Sequence, residues 1–383
     1  MSRVWSYPWT LAAEGLETSL ADLADRGVDT VSVATQYHSV RSFQPRVPAD
    51  PFDAYAGGCY FSPDPERFAG TPIDPIENDV PGLDDPLGDV VDAADDLGLD
   101  VASWTVCLHN TRLGAENPGY RVEDAFGTPH DVALCPSHPA VREYFAAVVE
   151  NVVDYGVSSV ELEAVGYPDV CHSHGLGWGH EKRQALASDA NRRLLSQCFC
   201  EACRERAREW GLDVDRARDV VRSLLRDALA EPVDDPPSLA DLADEHRAVD
   251  RLLAFRADTV ETFVARLAAA AGSTTVNTYV LDPAAMAATG VRLADVEDHL
   301  DRVTAICYVD EPAAARERLR AVGERVALPV DAGISLDPDL VGSEADFRAL
   351  VDAALDETDG EVSAYHHGLV TEAQLDWIER VLG

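Results

Sequence analysis

A chain of 383 residues with 46% hydrophobic content can fill a sizeable core, and its formal net charge is -38, from 69 acidic residues against 31 basic ones. Such a balance repels phosphate backbones and anionic lipid surfaces, which excludes nucleic acid and membranes as expected partners. The acids are spread along the whole length beside plentiful Leu, Val and Ala, which excludes a disordered tail.

Lys182 is the only lysine. The composition is of the haloarchaeal type, in which hydrated carboxylates keep surfaces soluble and a salt-filled cytoplasm screens their repulsion. No basic start leads into an apolar run, and no apolar stretch approaches the roughly 20 residues of a membrane span, so a cytoplasmic protein is expected. Nothing in the sequence fixes the oligomeric state, and a homo-oligomer is compatible with it. The eight cysteines are irregularly spaced apart from one cluster, which favours free thiols or a metal site over a disulfide framework.

In chain order, β-branched runs predict strands at Val4–Trp9, Val28–Thr35, Leu99–Leu108, Val157–Val165, Thr274–Leu281, Val303–Val309, Ala327–Ile334 and Glu361–His366. Amphipathic patterns predict helices between them, at 14–26, 87–97, 138–155, a long helical stretch over about 181–271, then 293–300, 311–325, 344–355 and 371–382. Strict alternation predicts an α/β fold with a parallel sheet, and eight units close a (β/α)8 TIM barrel. An open doubly wound sheet would carry a glycine-rich phosphate loop after its first strand, and "YPWTLAAEG" carries none. The whole chain, 1–383, is expected to be one barrel. Two long insertions follow strand ends, at 35–86 and 166–271, the second a helical subdomain with the cysteine cluster.

Side chains of a barrel strand alternate between the helix layer and the interior. With Val160 and Leu162 outward, Glu161 and Glu163 face inward. The same phasing turns Ser32, Gln36 and His38 inward, then Thr105, Cys107 and His109, then Asn277 and Tyr279, Asp331 and Ser335, and finally Ser363, Tyr365 and His367. A purely structural barrel fills this space with branched apolar residues, since a carboxylate buried without partners costs several kcal/mol. A satisfied network of Glu161 and Glu163 with arginines or histidines is the bland alternative.

Glu163, near the end of strand four, is placed as a proton donor whose pKa burial would raise. Glu161 sits one layer deeper as an orienting residue, and Asp331 on strand seven is the opposing carboxylate; Asp331, or failing it Glu161, is the expected catalytic nucleophile or base for a water. "CHSHGLGWGHEK" adds His172, His174 and His180 beside Lys182. Trp5, Tyr7, Trp9, Tyr37, Trp104, Tyr167 and Trp178 lie at strand ends or in their loops, where aromatic rings suit a sugar's apolar face. The expected substrate-binding set is His38, Trp104, His109, Asn110, Tyr167, His180, Lys182, Asn277, Tyr279, Tyr365 and His367. "QCFCEAC" offers Cys198, Cys200 and Cys203, three soft ligands for zinc, with Cys171 the nearest fourth and His172, His174 and Cys135 behind it. Packed free thiols are the alternative, and a closed all-protein site would be structural, leaving catalysis without a cofactor.

Two of these motifs resemble glycoside hydrolase barrels of the clan A type, in particular the family 42 beta-galactosidases. "CFCEAC" is similar to that family's Cys-x-Cys-x-x-Cys element after strand four, which holds a structural zinc together with an earlier cysteine. "ALCPSHPAVREYFAAVVENVVDYGVSSVELE" is similar to a helix leading into an acidic strand. The resemblance covers roughly 101–206. It implies a TIM barrel, a glycosidase acting on a small carbohydrate, and an acid/base role for Glu163. Leu162 stands where the family has asparagine, and "LPVDAGISL" offers Asp331, earlier than the family's nucleophilic glutamate. Two other readings stay open: a divalent-metal sugar isomerase or epimerase using Glu163, Asp331, His38, His109 and His367, and a carbohydrate-binding barrel without turnover.

Overall fold

The computed structural model describes residues 2–47, 51–171, 188–230 and 235–383. The sheet is built from β1 (Ser2–Ser6), β2 (Thr30–Tyr37), β3 (Asp100–Val106), β4 (Ser159–Glu163), β5 (Thr275–Val280), β6 (Arg302–Cys307), β7 (Val330–Ser335) and β8 (Val362–Tyr365). Each pairs in parallel with its sequence neighbours, and β1 pairs with both β2 and β8. The sheet therefore closes on itself, with helices between successive strands: a TIM barrel.

The first strand ends earlier than its apolar pattern predicts. Pro8 cannot extend a ladder but suits the first turn of a helix, and the chain turns into the helix Pro8–Glu14 there. On the outer face, Val31, Val33, Val160, Leu162, Val276, Val303, Ala305, Ile334 and Val362 are buried against the helices. Each buried Val, Leu or Ile among them contributes roughly 1.5–3 kcal/mol. The helix Pro139–Asp154 shows how the layer forms. Proline opens it, and Val141, Tyr144, Phe145, Val148 and Val152 recur at helical spacing on its buried side. Its Phe145 meets Phe263 of the helix Arg247–Ala271 edge to face at 5.9 Å.

Segments after three strands elaborate the C-terminal end of the barrel. Gly58–Cys59, reached after the hairpin Val40–Phe43/Phe52–Tyr55, pairs antiparallel with the end of β2. A second hairpin, Arg121–Glu123/Pro129–Leu134, follows β3. Beyond β4 the described helices Asp189–Leu195, Glu201–Trp210, Val214–Ala230 and Leu239–Glu245, with the start of Arg247–Ala271, bury Leu194, Phe199, Leu212, Val221 and Phe255 in a core of their own. Among the described residues, no helix is long and apolar enough to cross a membrane.

Candidate active site

The N-terminal half of the barrel interior is an ion-pair network. Arg3, the second residue of β1, pairs with Glu161 on β4 and reaches Glu361, just before β8, at 3.0 Å. Asp331 lies at the second position of β7, where Arg302 Nε donates to it at 2.7 Å and the Glu361 backbone N–H does so at 2.7 Å. This corrects the expected role of Asp331: its oxygens are engaged at the foot of the barrel, away from the strand ends that carry Glu163. Glu161 is also committed. One oxygen faces Arg3, and the other accepts from the Tyr279 hydroxyl, which itself accepts from Trp5 Nε1 at 2.6 Å. Removing one partner of such a buried pair leaves an uncompensated charge. Arg3→Met is therefore expected to lower unfolding free energy by about 3–5 kcal/mol in urea titrations while leaving the ligand pocket in place.

Above this network the C-terminal mouth opens into a cavity of about 380 Å³. Its aromatic lining comes from six strands or the residues just after them: Trp5 and Tyr7, Tyr37, Trp104, Tyr279, Tyr308 and Tyr365. His38, Val40, Leu281 and Ile306 complete the wall, and Glu163 is the only carboxylate among the described lining residues. The rings brace one another: Tyr37 meets Trp104 edge to face at 4.7 Å, and Trp104 meets Tyr365 likewise at 6.1 Å. The Tyr7 hydroxyl lies 3.2 Å from that of Tyr37 and 3.4 Å from that of Tyr365.

Glu163 ends β4, and Ala164 behind it takes a left-handed φ of 54°, which turns the chain out of the sheet at a cost of about 1 kcal/mol. The Glu163 side chain is only partly covered, and Trp104 Nε1 donates to its Oε2 at 2.6 Å. Burial pushes its pKa up from the ordinary carboxylate value, and the Trp104 bond to the ionised form pulls part of that back. Burial also raises the phenols of Tyr7, Tyr37, Tyr308 and Tyr365, so these hydroxyls keep their protons at neutral pH.

Of the expected binding residues, the pocket gathers His38, Trp104, Tyr279 and Tyr365. His109 has its ring 5.0 Å from that of His38 and is not part of the lining. Asn110 supports the site from behind, capping the helix Thr111–Glu116 through Oδ1 and donating from Nδ2 to the Tyr37 carbonyl at 3.0 Å. Asn277 is sealed inside the barrel, donating to Thr304 Oγ1 at 2.7 Å. His367 is buried between Ser6 and Arg46. His172, His174, Trp178, His180 and Lys182 lie outside the described residues. The proposed isomerase ligands Glu163, Asp331, His38, His109 and His367 do not assemble: among the described residues, the group able to hold a metal is elsewhere.

That group is Cys135, Cys198, Cys200 and Cys203, whose sulfurs all lie within 4.8 Å of one another. It corrects the expected fourth ligand. Cys171 is nearer in sequence, but Cys135, directly after the strand Pro129–Leu134, is brought to the start of the helix Glu201–Trp210. Tyr167 belongs to this centre and not to the pocket, with its hydroxyl 3.1 Å from Ser137 Oγ. Two phasings also differ. A bulge at Ala34–Gln36 turns Tyr37 into the pocket in place of Gln36, and on β3 Trp104 faces inward while Thr105 and Cys107 face the helices. Tyr308 falls within the predicted strand Val303–Val309 but was not singled out; the strand ends at Cys307, and Tyr308 just after it lines the pocket.

Neither a protein-family model nor a curated protein matches the sequence. Among solved structures, a beta-galactosidase from the psychrophilic Marinomonas ef1 aligns with a TM-score of 0.53 and 13% identity, over 95% of this chain and 54% of that one. The two share the TIM-barrel fold. A beta-galactosidase from Bacillus circulans sp. alkalophilus gives a TM-score of 0.51 at 12% identity, over 95% of this chain and 50% of that one. This chain thus spans about half the length of those two structures. At such identity the likeness concerns the fold, and in the fold it agrees with the resemblance carried by the strand-four and cysteine motifs.

Proposed function

We propose that the protein is a glycoside hydrolase in which Glu163 protonates the departing glycosidic oxygen. The observation that supports this most is a carboxylate at the end of a barrel strand, alone among the described lining residues, facing an aromatic cavity and held toward its protonated form by burial. Such a group donates a proton at a pH where an ordinary carboxylate has already lost its own. The surrounding rings offer apolar faces to a sugar, and the phenols offer hydroxyls. The test is turnover of a panel of aryl glycosides in multimolar potassium chloride, by wild type and by Glu163→Gln. Sugar binding without turnover by either protein would reject hydrolysis in favour of a binding barrel.

The same reading includes a structural zinc ion on Cys135, Cys198, Cys200 and Cys203. Four buried thiols at mutual reach match a closed tetrahedral sulfur site, which leaves no position for substrate. Zinc there would cross-link the hairpin after β3 to the helices after β4. One zinc per chain is expected in wild type and in Cys171→Ser, and its loss with a fall in thermal stability in Cys135→Ser. Zinc analysis after dialysis decides the ligand set.

A further inference from the structure

We propose that Arg256 is the counter-charge of a four-thiolate metal centre, setting how tightly that centre holds its ion; the inference rests on the zinc reading above. Arg256, on the helix Arg247–Ala271, is 1% exposed. Its Nη1 donates to Cys203 Sγ at 3.0 Å, and among the described residues its Nε and Nη2 have no hydrogen-bond partner. The guanidinium lies over the ring of Tyr167 at 4.4 Å and near that of Phe255 at 5.4 Å.

A desolvated guanidinium demands an anion, because the cost of taking it out of water is recovered only by a close opposite charge. Arginine ion pairs are abundant in this chain, yet no carboxylate pairs with Arg256 among the described residues. The groups that face it are the sulfur of Cys203 and the ring of Tyr167. A phenol ordinarily keeps its proton at neutral pH, which leaves the sulfurs as the source of negative charge. The sulfurs also behave as acceptors: besides Arg256, the Glu123 backbone N–H donates to Cys198 Sγ at 3.3 Å. An imidazole also stands close, with His138 Nε2 at 3.6 Å from Cys200 Sγ.

The charge arithmetic then closes. Four thiolates around a divalent ion carry two net negative charges, and one guanidinium removes half of that excess in a buried site. A neutral side chain at position 256 would leave the excess charge of a buried centre uncompensated and loosen the ion. Partners behind metal ligands commonly change metal affinity by about 10- to 100-fold. Arg256 also stacks on Tyr167, four residues beyond Glu163, so the same side chain ties the cysteine centre to the chain leaving β4.

The experiment follows zinc transfer from the folded full-length chain to 4-(2-pyridylazo)resorcinol, in fixed potassium chloride, for wild type, Arg256→Met and Arg256→Lys. Arg256→Met, which keeps length without charge, is expected to release zinc about 10- to 100-fold faster, with Arg256→Lys much closer to wild type. Release from Arg256→Met at the wild-type rate would overturn the inference, as would Arg256→Lys releasing as fast as Arg256→Met, since shape and not charge would then matter. Should Arg256→Met fail to fold, Arg256→Gln serves as the neutral variant under the same criteria. A wild type that binds no zinc rejects the underlying zinc reading, a result distinct from zinc held equally by all variants.

Discussion

Glu163→Gln is expected to lower kcat on glycosides with poor leaving groups by about a hundredfold to ten-thousandfold, the usual contribution of a positioned acid. The loss should shrink steadily as the leaving phenol becomes more acidic, because a phenolate that departs unaided needs no proton. That gradient distinguishes an acid from a nucleophile, whose removal would abolish turnover of every substrate alike. The pH profile carries the same information. A general acid works only while protonated, so kcat should fall as pH rises through the raised pKa of Glu163, and this basic limb should vanish in the glutamine variant. Trp104→Phe removes the N–H that favours the carboxylate form, so the limb should move to higher pH. A limb that stays in place in both variants would assign it to another group and remove Glu163 from the acid role.

The barrel was legible because its outer face is simple: Val31 and Val33, Val160 and Leu162, and Val303 and Ala305 alternate with inward residues as a strand against helices must. The same regularity put Glu163 at the mouth. It failed on β3, where both faces are buried and polarity does not separate them. There the hydroxyls of Thr35, Ser103 and Thr105 satisfy one another at 2.6–3.2 Å between sheet and helices, so polar residues point outward while Trp104 points in. On β2 one extra residue in the ladder reverses the phase, a change with no signature in the composition of the strand. Asp331 looked like a site residue because its partner, Arg302, comes from a neighbouring strand 29 positions away. Cys171 looked like a ligand because sequence distance stood in for spatial distance, whereas the hairpin after β3 delivers Cys135 from farther off. Pairings made across the barrel decide these cases, and one sequence does not print them.

Acid should destabilise the fold well before its carboxylates titrate, through two adjacent buried histidines. His366 Nδ1 accepts from the Gly368 N–H at 3.1 Å, which fixes its proton on Nε2, a nitrogen with no hydrogen-bond partner among the described residues. His367 Nε2 lies 3.0 Å from Arg46 Nη2, which can only donate, so its proton sits on Nδ1 toward Ser6 Oγ at 3.1 Å. Both rings are thereby held neutral. Burial and the Arg46 charge push His366 down to about 3 and His367 well below its ordinary 6.5, even though Glu14 stands 3.7 Å from His367. In the unfolded chain both titrate near 6.5, so below that pH the unfolded state binds two more protons than the native one. Stability is complete above pH 6.5 and falls as the pH drops below it, by about 2.7 kcal/mol per pH unit. Burial of Glu14 and Glu163 acts in the opposite sense, since their raised pKa values favour the protonated native state as pH falls. Urea unfolding at pH 7.5 and 5.5 in one potassium chloride concentration separates the contributions: His366→Gln and His367→Gln should each remove about half of the histidine loss, about 1.4 kcal/mol between those two pH values. An unchanged pH slope in both variants would mean that neither ring is held neutral in the native barrel.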